Sequence, residues 1–144
     1  MNIAPEVLAV VRQWVEKAEH DLKNAEYTLT MDTEECPYDT ICFHAQQCAD
    51  KYLKALLTFQ GIDFPKSHDL TELVALIPQS FRIEFPKGEL EELNPYAIET
   101  RYPGDWESYE REDAVRAIEV AKKVRQAIHR HLPPQVVNDK EEEG

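Results

Sequence analysis

Neither a glycine-rich phosphate loop nor a G-x-S-x-G elbow occurs in the 144 residues, which removes the commonest nucleotide-hydrolase and serine-hydrolase motifs. No apolar run approaches the ~20 residues that span a bilayer. The N-terminal stretch reaches Arg12 and Glu16 without a long apolar core or a small-residue cleavage site, so no signal peptide is read and the cytoplasm is the expected compartment. Cysteine is scarce and odd in number: Cys36, Cys42 and Cys48 form no C-x-x-C, which argues for reduced thiols rather than a disulfide framework. His44 and Cys48 stand four apart, but two ligands do not make a zinc site, and no metal or cofactor is expected. Basic residues are few: 16 face 28 acids, a formal charge of -12. A uniformly basic surface for long nucleic acid is thereby excluded, and any contact with phosphate must rest on a few local cations.

Helical periodicity fills most of the chain. From Pro5 to about Leu29, the residues Val7, Val11, Trp14, Ala18, Leu22, Ala25 and Leu29 recur at steps of three or four, one stripe of a long helix, and Pro5 suits its first turn. "TMDTEECPYD" is a loop. A second long helix is predicted from about Tyr38 to Gln60, with Gly61 as its stop, and the two should form an antiparallel hairpin. A short third helix, "HDLTELVALI", has Asp69 and Glu72 at capping-box spacing, buries Leu70, Leu73, Val74 and Ile77, and ends at Pro78. Residues 79–88 read as a loop pinned by Phe81, Ile83 and Phe85. "ELEELNPYAIET" resumes helical spacing, with Pro95 either kinking it or starting a separate turn. The last helix is placed from about Arg111 to His131, with Ala114, Ile118, Ala121, Val124, Ile128 and Leu132 inward. The expectation is an all-α antiparallel bundle of four to five helices over residues 1–132, followed by a disordered acidic tail, 133–144.

Four segments in order, "VRQWVEKAEHDLKNAEYTL", "AQQCADKYLKALLTFQGID", "HDLTELVALI" and "LEELNPYAIETRYP", resemble the HEPN family of small all-helical prokaryotic domains over roughly residues 8–129. The resemblance implies a dimerising bundle, often encoded beside a minimal nucleotidyltransferase, whose polar interface groove binds nucleotide or RNA. Many members are metal-free ribonucleases used as toxins or in defence, with a signature of Arg, four to six residues, then His. In "RYPGDWESY", Arg101 and Tyr102 match the family's Arg-Tyr-Pro variant, but Trp106, Glu107 and Ser108 stand where the histidine would fall. Arginine holds phosphate through a fixed fork of donors yet stays protonated and makes a poor base, so the segment suits holding a phosphate rather than breaking one. Tyr102 or Trp106 would stack on a base. The plainer alternative is that Arg101 pairs with Glu99 or Asp105 while the aromatics pack.

"RQAIHRH" also fits the signature through Arg125 and His131, but a separation of six residues turns the side chains about 120° apart on an ideal helix. Cations there are explained by the negative end of the helix dipole. On the second helix, Gln47, Asp50, Lys51 and Lys54 share one polar face beside Gln46. They form either a solvated face with an Asp50–Lys54 ion pair or, as the resemblance implies, a border of the interface groove. His68 and Asp69 match the family's "HDL" and either line that groove or cap the third helix. The favoured expectation is a non-catalytic nucleotide- or RNA-binding homodimer with a nucleotidyltransferase partner; a ribonuclease toxin with a non-standard site and a pure assembly module are the alternatives.

Overall fold

Proline at the first turn costs no hydrogen bond, and Pro5 opens α1 (Pro5–Thr28). The computed structural model describes residues 3–81, 83–85, 87–97 and 109–137, and among these every regular element is helical. The others are α2 (Tyr38–Phe59), α3 (Leu70–Ala75), α4 (Lys87–Leu93) and α5 (Arg111–His129), with 3-10 turns at Gln79–Phe81 and Asn94–Ala97. This is the expected helical bundle. Trp14 lies by Lys54 and Asp21 by His44, so the first two helices run antiparallel. Gly61 adopts φ 72° just beyond α2, a conformation that a side chain disfavours.

The middle of the bundle is α2, which touches α1, α3, α4, α5 and the Asn94–Ala97 turn. From Ala45 to Leu57 every residue except Lys51 is buried. Small residues, Ala45, Cys48, Ala49 and Ala55, let neighbouring helices approach, while Leu53, Leu56 and Leu57 fill the gaps at 0% exposure. Each such leucine contributes about 1.5–3 kcal/mol through removal from water. Such encirclement makes α2 the element that can present a polar group to both sides of the molecule.

Several boundaries differ from the expected ones. The third helix stops at Ala75, with Leu76 as its cap, and Val74 and Ile77 are only partly buried. Its capping box is half formed. Asp69 accepts from the Thr71 and Glu72 amides, but Glu72 accepts from the Ser67 hydroxyl, and the Asp69 amide donates to Ser67 Oγ. Phe81 is 41% exposed and pins nothing, whereas Ile83 and Phe85 pack on the core as expected. Pro95 lies in a separate turn, as a residue that lacks an N–H donor should. Beyond the expected boundary at 132, Val136 is buried at 3% and the Arg12 guanidinium donates to the Gln135 carbonyl, so the packed body continues to Val137. Residues 138–144 lie outside the described residues.

Candidate functional site

One acid sits inside the apolar stripe of α1. Asp21 follows Trp14 and Ala18 at the same spacing that leads on to Ala25, and its side chain is 10% exposed. A carboxylate there needs partners from the next helix, since an unpaired buried charge is costly. Two come from α2: His44 Nδ1 lies 2.8 Å from Oδ1, and Lys51 Nζ donates to Oδ2 at 2.5 Å. Because a carboxylate only accepts, the neutral imidazole is held as the Nδ1–H tautomer, which leaves Nε2 as an acceptor.

A second unit of the same composition lies farther along α2. Asp50 Oδ2 accepts from Lys54 Nζ at 3.1 Å and from His68 Nδ1 at 3.2 Å. The pair is not on a solvated face: the Asp50 and Lys54 side chains are 1% and 7% exposed, and the ammonium stands 5.8 Å over the Trp14 ring. Trp14 and the segment leading into α3 cover what periodicity alone assigns to water. Gln46 Nε2 donates to the His68 carbonyl at 2.7 Å and Gln47 Nε2 to Gln46 Oε1 at 2.8 Å, which fixes the backbone that carries the imidazole. His68 itself is 57% exposed. Asp50 Oδ1 is buried with no hydrogen-bond partner among the described residues.

These residues form one polar seam along α2. Its edges are His44 and Asp50, six residues and about 120° apart around the helix, with Gln47, Lys51 and Lys54 between them. The two aspartates balance the two lysines, so with neutral imidazoles the seam carries no net charge. Its most accessible group is His68, followed by His44 and Lys51 at 26% and 24% exposure. Sequence reasoning joined His68 to this face through the resemblance and weighed His44 as a metal ligand beside Cys48 rather than as Asp21's partner; it missed Asp21, although an acid in line with Ala18 and Ala25 was a visible signal.

A third polar cluster, not anticipated, lies where α1, α2 and α5 meet. Arg125 donates to both oxygens of Glu19 at 2.7 and 3.2 Å, and the Tyr52 hydroxyl donates to the same carboxylate. With its proton spent there, the Tyr52 oxygen accepts from His129 Nε2 at 2.9 Å. Burial pushes Glu19 upward, but the hydrogen bonds from Arg125 and Tyr52 outweigh it and hold the carboxyl below its ordinary range. Burial and the Arg125 charge press His129 down to about 4, so it is neutral at physiological pH. Arg125 is therefore an ion-pair partner, and the dipole explanation of its position is replaced by this one. The cluster ties three helices together.

Asp69 is spent on capping. Its Oδ1 accepts from the Thr71 hydroxyl and amide, the Glu72 amide and Asn94 Nδ2, and the Thr71 hydroxyl leads the contacts that lower its pKa. Arg101, Tyr102 and Trp106 lie outside the described residues. Two cavities flank α5, about 340 Å³ beside Arg116 and about 310 Å³ beside Lys122 and Arg125, and in each the lining cations already hold carboxylates. Among the described residues no group of three or more His, Cys, Asp or Glu is placed to hold a metal, and no helix is long and apolar enough to cross a membrane.

The HEPN domain family model matches residues 11–131. The crystal structure of TT1696 from Thermus thermophilus is similar, with a TM-score of 0.70 and 30% identity, covering 85% of this chain and 98% of that one. So is that of ST0689, an archaeal HEPN homologue, with a TM-score of 0.61 and 27% identity over 84% of this chain and 96% of that one. No curated protein sequence matches. A match over most of the body, with helices that superpose on both structures, decides the matter: the chain belongs to the HEPN domain family.

Proposed function

We propose that this protein is a non-catalytic HEPN module that binds a nucleotide or RNA phosphate in the cytoplasm. It acts as a homodimer with a separate minimal nucleotidyltransferase, in a toxin–antitoxin or defence system. The observation that carries the reading is the seam on α2, where one buried and one part-buried ion pair position accessible histidines. Burying Asp50 and Lys54 costs desolvation that an apolar pair would avoid, and such an arrangement is weak as a device for stability alone. Arg101, retained in the Arg-Tyr-Pro motif without a following histidine, supplies the fixed cationic fork. Isothermal titration with ATP and a short RNA, using the natural protein, Arg101→Ala and Lys51→Gln, tests it. Binding weakened by both substitutions supports the reading; equal binding by all three, or none by any, sinks it.

A ribonuclease reading has one observation in its favour. Asp50 holds Nδ1 of an imidazole that is 57% exposed, an arrangement able to orient a general base. RNA cleavage that survives chelator and disappears in His68→Gln would favour it over the binding module.

A further inference from the structure

Each lysine of the seam already holds a carboxylate. Lys51 is held at 2.5 Å by Asp21 and Lys54 at 3.1 Å by Asp50, so each positive charge is already matched. A phosphate entering the seam with both histidines neutral would meet two carboxylates and no net positive charge. The imidazoles are the groups that change this. Each is held through Nδ1 by an aspartate, and in neither does Nε2 have a hydrogen-bond partner among the described residues. Their rings stay accessible, at 26% for His44 and 57% for His68. Protonation would place an N–H donor at each Nε2.

We infer that phosphate binding at this seam is coupled to proton uptake by His44 and His68, which makes them the pH-dependent part of ligand recognition. The inference rests on the binding function proposed above and adds the means by which an acidic chain attracts an anion. The step is a simple protonation. Each neutral imidazole takes one proton from solvent at Nε2, the seam gains one positive charge per histidine, and the new N–H donates to a phosphate oxygen. Among the described residues, the charged groups linked to His44 by ion pairs are Asp21 from α1 and, through it, Lys51 from α2. Those linked to His68 are Asp50 and, through it, Lys54 from α2, while neighbouring Asp69 is turned to the start of α3.

Histidine changes charge close to neutral pH, and affinity should fall by up to about tenfold per pH unit for each imidazole that must be protonated. The probe is an RNA octamer without terminal phosphates, because its diesters keep one charge from pH 6 to pH 8. Isothermal titration at these two pH values, each in two buffers of different ionisation enthalpy, reports affinity and protons taken up. The same measurements on His44→Gln/His68→Gln keep a polar side chain at each site but remove the titration, with circular dichroism confirming the fold. The expected result is tighter binding at pH 6 with proton uptake, and loss of both the pH dependence and the uptake in the double variant. Binding of equal strength at both pH values, or pH dependence that survives in the double variant, overturns the inference while leaving the binding function standing. No binding by the natural protein at either pH removes the binding function itself, and the inference with it.

Discussion

Replacing Asp50 by Asn removes one charge with almost no change of shape. Lys54 would then keep an ammonium 7% exposed, with the Trp14 face at 5.8 Å and no carboxylate. Stranding one member of a buried pair costs about 3–5 kcal/mol, whereas removing both and packing the space is close to neutral or stabilising. The cation–π contact remains as a partial partner worth about 0.5–2 kcal/mol, so Asp50→Asn should lower stability by roughly 1–4 kcal/mol. Lys54→Met in the same chain should return most of that loss, since methionine follows the lysine stem past Trp14 without a charge to desolvate. Urea denaturation of the natural protein, both single variants and the double variant closes the cycle, and equal m-values would show that the midpoint shift is a stability change. A loss below about 0.5 kcal/mol for Asp50→Asn, with no coupling to Lys54, would refute the reasoning, because that is the range of an exposed pair.

Three further outcomes follow from the same physics. Tyr52→Phe deletes the hydroxyl that joins Glu19 to His129 and should cost about 1.5–3 kcal/mol in urea denaturation, as a hydrogen bond to a charged group does. Acid should destabilise the fold in two overlapping steps. His129, held near 4, binds its proton more readily when unfolded, so stability falls as pH drops from the ordinary histidine range towards 4. Glu19, held below its usual range, contributes stability that is lost as pH falls through its lowered folded value. Thermal melts from pH 7 to pH 3 should show both, with the upper step flattened in His129→Gln. Gly61→Ala meets no atom within 4 Å but must hold φ 72°, so a loss of about 1–2 kcal/mol should appear without any change in packing.

The long elements were legible because their patterns are local. Val11, Ala18, Leu22 and Ala25 mark the buried side of α1, and Gly61 marks the end of α2 without reference to any other segment. The short elements were less legible, since α3, α4 and the Asn94–Ala97 turn are too brief for periodicity to fix their ends. A capping box was read at Asp69, where Ser67 competes for Glu72, and not at Glu110 and Asp113, where both halves form. The polar clusters depend on contacts between residues far apart in sequence. Glu19 and Arg125 are 106 positions apart, and only the packing of α1 against α5 joins them. Asp50 and Lys54 look solvated on a helix taken alone; Trp14 and the approach to α3 bury them.

The central claim is that the α2 seam holds a phosphate-bearing ligand. An amide and imidazole NMR titration with the RNA octamer at pH 6 tests it most directly. Resonances of His44, Gln47, Lys51 and His68 should move together and saturate, while those of Glu89 and Lys123, paired with each other between α4 and α5, stay in place. Saturating shifts centred on α4 and α5 with the seam unmoved, or no shift at any residue, would contradict it.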